Sequence, residues 1–588
     1  MKTTKNIARL AVTAGLTAAL SFGGVMAPVT MAFAEGTPTV AANGNVTIKD
    51  STYTDTTFKG IQIFKAKVTQ DKRDNAWNGS KTLSDIEWAS DSIRDAVTGA
   101  FANTTDSTKP SGTDAQEWAE WIKTKTEAEY TSGTDASTKL DAGTTLDIIA
   151  GALEGANIAE VTDGWKTSAD GKFSGLDAGY WLFLTKDVSA SVNISTGNTD
   201  TYTSPIFAVV GGSDETITPK KQVPTVTKAV KDDATGSTFG SFENPNKAAD
   251  SQMDQYVDYQ LIGTVAGNIN SYSAYKYTFT DELPKSMTPK FMDDGTTPDV
   301  AVKIGNTEVA SGYTAKYEDN KLTVEFTNLK NCTGEGGAAI ALNGDSKVTV
   351  EYKAKLDSTK IFDENGTINA GFDGLVGKAQ KNTVKLTYSN NPHVDGTGTT
   401  VEHPAYNYTY GIDVTKVGSD DENKGLEGVE FTLQEQGDAG NYIMANGVKT
   451  TNKTEATLKT DRNGKINVVG LDEGTYVLTE VKPAPGYNNS AANGVTFTIK
   501  RDLNQTGAEV TPSTESVITA GNDVVKDNSA NAATGKLSFT IVDKKGSGLP
   551  LTGLNGVTFT WIAGGAVLCI GVAHLIRSRK QAEESERE

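Results

Sequence analysis

The chain carries few of the side chains from which active sites are usually built. Among its 588 residues are two cysteines and three histidines. Cys569 and His574 lie within an apolar run near the C-terminus, so Cys332 has no disulfide partner in the rest of the chain. His393 and His403 flank a Gly/Thr-rich stretch. Ser-His-Asp, Cys-His and histidine-based metal constellations are therefore hard to assemble. There is no Gly-rich phosphate loop and no cofactor signature, so neither a cofactor nor a metal is expected. Positive charge is also in deficit: the net charge of −19 argues against nucleic-acid binding and suits an extracellular surface.

At this length a few domains are expected. Lys2, Lys5 and Arg9 precede an apolar stretch ending in Ala32-Phe33-Ala34, the pattern of a secretory signal peptide over residues 1–34. Residues 549–588 begin with Leu549-Pro550-Leu551-Thr552-Gly553 and continue through an uncharged apolar run over 557–576, basic Arg577, Arg579 and Lys580, and an acidic tail. The run is long enough to cross a bilayer as one helix, and the basic cluster favours a cytoplasmic C-terminus. A plain membrane anchor is one reading. The pentapeptide in this setting resembles the LPxTG sorting signal of Gram-positive surface proteins. That resemblance implies a sortase whose cysteine attacks the Thr552 carbonyl, releases Gly553 onward, and passes Glu35–Thr552 to an amine outside the cell. An exported chain without disulfides must gain robustness by other means.

The intervening sequence predicts a mostly β protein of tandem Ig-like β-sandwich domains. Residues 35–220 open with strand-like Asn45–Lys49 and Gly60–Phe64 and close with Tyr180–Leu184 and Pro205–Val209. Between them, Ile86, Ala89, Ile93, Val97 and Phe101, then Trp118, Trp121 and Ile122, then Leu146, Ile149 and Leu153, recur at helical spacing, so a sandwich with a helical insertion is expected. The tryptophans read as core. Residues 221–405 alternate as strands, with a turn-rich strand end and linker at Asn390–Thr400. Residues 408–546 predict a third, all-β domain.

Strand periodicity places charge inside. Ile412, Val414 and Lys416 share a face, as do Tyr476, Leu478 and Glu480, and Leu537, Phe539, Ile541 and Asp543. Each charged residue either ends its strand and reaches solvent, or continues the inward row. Three of opposite sign in one small domain favour a buried cluster. Burial favours a neutral amine and a protonated carboxyl. Lys416 could then attack the side-chain carbonyl of Asp543 and expel water, with Glu480 as proton shuttle.

Asp413–Lys416, Gly425–Phe431 and Tyr476–Tyr487 resemble the Cna-B-type domains of sortase-assembled pilins, the last segment resembling their E-box. Backbone pilins usually carry Asn where this chain has Asp543, which leaves the partner of Lys416 open. Val226–Lys228, Tyr277–Leu283 and Asn382–Pro392 resemble the middle domain of the same proteins. This implies a Lys228–Asn382 isopeptide bond promoted by Asp281 with release of ammonia. In each domain the bond is expected to join the first strand to the last. In the first domain Leu184 falls at the E-box glutamate position, so no bond is expected there.

Ile217–Gln222 resembles the pilin motif of backbone subunits, with Thr218 in place of Tyr. The implied intersubunit nucleophile is Lys220, with Lys221 as the alternative; both could also be solvated linker residues. The resemblance implies a backbone (shaft) pilin, joined head to tail through Thr552 and Lys220. The partners implied are other copies of the chain, a pilus-class sortase, tip and base pilins, and peptidoglycan in the cell wall. A monomeric wall-anchored adhesin is the alternative.

Overall fold

A computed structural model describes residues 12–13, 37–49, 56–130, 140–160, 164–188, 191–219, 223–501, 517–519, 524–531 and 533–546. Of residues 1–34, only Val12–Thr13 is described, paired with Thr82 and Leu83. Lys220, Lys221 and the whole of 549–588, including the expected membrane segment 557–576, lie outside the described residues. Among the described residues no helix is long and apolar enough to cross a membrane.

The first unit is built on one sheet in which Ala76–Trp88, Thr57–Arg73, Gly179–Asp187 and Ile206–Val210 lie side by side. The run from Tyr180 to Leu184 is buried throughout, because both faces of this sheet are covered. Tyr180, Leu182 and Leu184 face three helices, Asp91–Ala100, Ala115–Tyr130 and Thr145–Gly155, and pack with Ile93, Val97, Trp118, Ile122, Leu146 and Ile149. Trp181 and Phe183 face a small sheet of Asn43–Ile48, Lys172–Asp177 and Glu215–Ile217. The helical insertion is thus a third layer. Its first helix starts later than the apolar spacing predicts. Ile86 belongs to the Ala76–Trp88 strand, and Ser90 caps the helix by accepting the Ile93 N–H at 3.3 Å. A buried strand end followed by a helix mimics one helical stripe; the Ser90-Asp91 cap marks the true boundary.

The second unit is two facing sheets. One contains Val226–Lys231, Tyr256–Thr264, Lys347–Leu356 and Val300–Ile304. The other contains Ala248–Asp250, His403–Tyr408, Gln380–Ser389, Tyr277–Glu282, Lys321–Phe326 and Thr314–Glu318. One core fills the space between them, from Val226 and Tyr259 on one side to Phe279, Leu386 and Tyr388 on the other. Two expectations change here. His403–Tyr408 pairs with Gln380–Ser389, so the strand bearing Asn382 is not the last of this unit. The Asn390–Thr400 segment is not a free linker. Its backbone accepts from Tyr202 (2.8 Å) and Thr199 (2.9 Å) of the first unit, and Thr397–Thr399 folds back on Thr387–Ser389.

In the third unit Tyr410–Gly418 lies between Lys465–Leu471 and Lys536–Asp543, antiparallel to the former and parallel to the latter. The facing sheet holds Glu430–Glu435, Gly474–Lys482 and Val495–Ile499. Arg501 closes the junction with the second unit. Its guanidinium binds Asp232, Asp250 at 2.8 Å and Glu473 at 3.0 Å. Burial, reinforced by Asp232, raises Asp250 to about 8. Arg501→Ala leaves these carboxyls without their cation, and a loss of about 3 kcal/mol is expected, measured as urea unfolding of the two-unit junction.

Candidate functional site

Both lysine sets assemble as strand periodicity predicts, wholly inside their units. In the third unit, parallel pairing sets Lys416 against Ile541 and Gly418 against Asp543, so the two side chains extend from neighbouring strands into the same space. Glu480 enters from the opposite sheet. Lys416 Nζ stands 2.5 Å from Asp543 Oδ1 and 2.8 Å from Glu480 Oε2, and all three side chains are buried. The Phe431 ring centroid lies 5.7 Å from the amine. The strand-end reading, with these groups reaching solvent, is excluded by this burial.

Glu480 Oε1 and Asp543 Oδ2 are buried and receive no hydrogen bond. A proton on Glu480 would let the two carboxyls hydrogen-bond to each other. Burial raises Glu480 to about 7, and Asp543 pushes in the same direction while Lys416 opposes it. Glu480 is therefore partly protonated near neutrality, against an ordinary carboxyl value near 4.5. Sequence reasoning missed the loop that follows: the Ser490 N–H donates to Asp543 Oδ1 at 3.1 Å, and the Asn489 amide donates to the Glu480 carbonyl at 2.9 Å. A backbone donor on Oδ1 is placed to stabilise charge on that oxygen, and no side-chain pattern in the sequence signals it.

In the second unit the groups come from both sheets. Lys228 Nζ donates to Asp281 Oδ1 at 2.6 Å and Oδ2 at 2.5 Å. Lys228, Asp281 and Asn382 are each 0% exposed, so the lysine–carboxyl charge is held without water. Burial lowers Lys228 to about 8 and raises Asp281, each partner opposing the shift of the other. Asp281 pairs with Val384 across the sheet, which puts Asn382 one step along on the same face. Tyr352 was missed as a site residue. It lies on the inward row of its strand after Val348 and Val350, as the alternation allows, but only the sheet pairing sets it against Tyr259 and over Lys228.

These sets can do one kind of chemistry: amine attack on a carboxyl or carboxamide carbon with a buried acid to move the proton. An acid that must donate a proton works in its protonated form, so if Glu480 serves the Lys416–Asp543 pair, closure of that bond is expected to slow as pH rises past about 7. Mass spectrometry of ectodomain refolded across a pH series, following the loss of one water, measures it.

The first unit has no such set at the expected place, and Leu184 is core. It does bury one lysine that the sequence did not flag: Lys81 Nζ bonds Glu215 at 2.5 Å, the Ser213 carbonyl at 2.8 Å and the Val209 carbonyl at 3.2 Å. Among the described residues no group of three metal-ligating side chains is present.

Residues 411–514 match the model of the SpaA prealbumin-like fold domain. No curated protein matches the chain. Solved structures similar to it include the major pilin subunit BcpA of Bacillus cereus, at 17% identity and a TM-score of 0.35, covering 66% of this chain and 90% of that one. The T6 backbone pilin of serotype M6 Streptococcus pyogenes is 14% identical with a TM-score of 0.43, covering 87% of this chain and 100% of that one. The full-length major pilin SpaD of Corynebacterium diphtheriae is 15% identical with a TM-score of 0.42, covering 86% of this chain and 98% of that one.

Proposed function

We propose that the chain is the backbone subunit of a covalently assembled surface pilus of a Gram-positive bacterium, a structural protein that forms cross-links within itself. The observation that carries this reading is the pair of buried lysines, each in contact with a buried acid, in two successive β units. Holding such charges away from water is costly even when they are paired, and amide formation removes the lysine charge altogether. In the third unit Lys416 joins Asp543 with loss of water, assisted by Glu480. In the second, Lys228 joins Asn382 with loss of ammonia, assisted by Asp281.

Tension on a fibre gives these bonds their use. The third unit is entered at its Tyr410–Gly418 strand and left at Lys536–Asp543, which are parallel neighbours. A Lys416–Asp543 amide carries load directly between them and bypasses every intervening strand. In the second unit a Lys228–Asn382 amide joins the two sheets. It leaves His403–Tyr408 outside the covalent loop, held by pairing to Gln380–Val384 and Ala248–Asp250.

Between copies, a pilus-class sortase joins Thr552 to Lys220. The contact is head to tail, so it propagates as a fibre instead of closing a ring. The subunit lies in the cell wall and on the cell surface, with tip and base pilins and peptidoglycan as further partners. Immunoblots of wall digests test the polymer. A high-mass ladder is expected, lost in Lys220→Ala and kept in Lys221→Ala. A single band in the unaltered strain overturns the shaft reading in favour of a monomeric wall-anchored adhesin.

A further inference from the structure

Resting on the Lys228–Asn382 cross-link, we propose that Tyr352 is a catalytic residue of its formation, its hydroxyl carrying the proton that Asp281 releases to the departing nitrogen of Asn382. The Tyr352 oxygen touches all three participants. It accepts from Lys228 Nζ at 3.0 Å and from Asn382 Nδ2 at 2.8 Å, and it donates to Asp281 Oδ2 at 2.6 Å. One donor proton and two acceptor sites are all that a phenol offers, and all are used. Both oxygens of Asp281 receive the amine, Oδ1 at 2.6 Å and Oδ2 at 2.5 Å. The result is one continuous line: Nζ, Oδ2, the phenol oxygen, Nδ2.

The chemistry needs such a line. When neutral Lys228 attacks the Asn382 carbonyl carbon, a C–N bond forms and the carbonyl π electrons move to Oδ1. Nζ then holds one proton too many, while Nδ2, an amide nitrogen, is one proton short of leaving as ammonia. Nζ gives its proton to Asp281 Oδ2, 2.5 Å away. The carboxyl passes that same proton to Tyr352, and Tyr352 passes its own to Nδ2. The Cγ–Nδ2 bond breaks, the carbonyl reforms, and ammonia departs. Asp281 and Tyr352 end in the protonation state in which they began, so no external acid, base or water is consumed. Asp281 binds Nζ, and Tyr352 spans the interval from Asp281 to the Asn382 nitrogen.

The surroundings suit a relay. Tyr352 stacks on Tyr259 with ring centroids 5.3 Å apart and planes 14° apart, which fixes the hydroxyl position. Burial pushes the phenol well above its ordinary value, so it passes a proton on without resting as a phenolate. No water need enter a site whose members are 0 to 4% exposed.

Tyr352→Phe keeps the ring and the stack and removes only the relay atom. Mass spectrometry of the full ectodomain, sampled from synthesis onward, gives the rate at which one ammonia is lost. The variant is expected to close the Lys228–Asn382 bond about 100-fold more slowly, the usual scale of a general acid. Loss of one water from the third unit, unchanged in the same sample, shows that the chain has folded. Closure at the unaltered rate overturns the proposal. Absence of ammonia loss in the unaltered protein overturns the cross-link itself, a different result. Should Tyr352→Phe fail to fold, a fluorinated tyrosine placed at 352 retains ring and hydroxyl with a more acidic proton. A shifted pH–rate profile then supports the relay, and an unmoved one refutes it.

Discussion

Glu480→Ala is expected to yield an ectodomain heavier by one water, after correction for the substitution, and a third unit that melts far below the unaltered one. Lys416 and Asp543 remain in contact in this variant, but the protonated carboxyl that gives the leaving oxygen its proton and is then reprotonated by the amine is gone. The pair then persists as an ion pair within a buried site. The lost amide closes the long loop between Lys416 and Asp543, for which the chain-entropy model gives about 5 kcal/mol. Glu480→Gln refines the test. It keeps the side-chain shape and the contact with Lys416 but cannot cycle a proton, so the same gain of water is expected. A Gln variant that loses water normally shows that Glu480 only positions the lysine. Differential scanning calorimetry read beside the intact mass separates the two effects, because the first unit should melt unchanged.

Lys228→Met has the second large expected effect. It removes the cross-link between the two sheets, so one ammonia is retained. It also leaves the Asp281 carboxyl buried without the nitrogen that both of its oxygens contact, at 2.5 to 2.6 Å. A buried polar group left without that partner costs about 1–3 kcal/mol, separate from the lost amide. The double variant Lys228→Met with Asp281→Leu distinguishes the terms. It removes the unpartnered carboxyl as well and is expected to regain most of that loss, but none of the stability due to the cross-link. If single and double variants unfold at the same urea concentration, the amide accounts for the whole effect. If the double variant matches the unaltered protein, no cross-link was stabilising this unit. Asp281→Asn should also retain the ammonia, because an amide in that place cannot accept the Nζ proton.

Strand periodicity made much of this legible. The inward rows ending in Lys416, Glu480 and Asp543 are local facts, and the structure buries all three. The row Asn382, Val384, Leu386 and Tyr388 is likewise buried along its length. Where the reading slipped, the local pattern was ambiguous. Ile86 and Ala89 sit at helical spacing from Ile93, yet Ile86 ends a strand, because burial by tertiary contact gives the same apolar signal in either element. Asn390–Thr400 has the composition of a linker and is instead pinned by hydrogen bonds to Thr199 and Tyr202 of another unit. His403–Tyr408 joins the Asn382 sheet, so the strand bearing Asn382 is not the last of the second unit, and the proposed Lys228–Asn382 bond would join sheet to sheet instead of first strand to last.

Alternation along single strands, from the sequence alone, determined which lysines and acids turn inward, because a strand's two faces follow from its own backbone geometry. Which of them meet was decided only by tertiary structure. Parallel pairing of two strands far apart in sequence brings Lys416 to Asp543. Packing of one sheet on another brings Lys228 to Asp281, and the pairing of Tyr259 with Tyr352 sets a phenol beside both. Register between distant strands depends on the whole core that holds the sheets together, and no short stretch of residues encodes it.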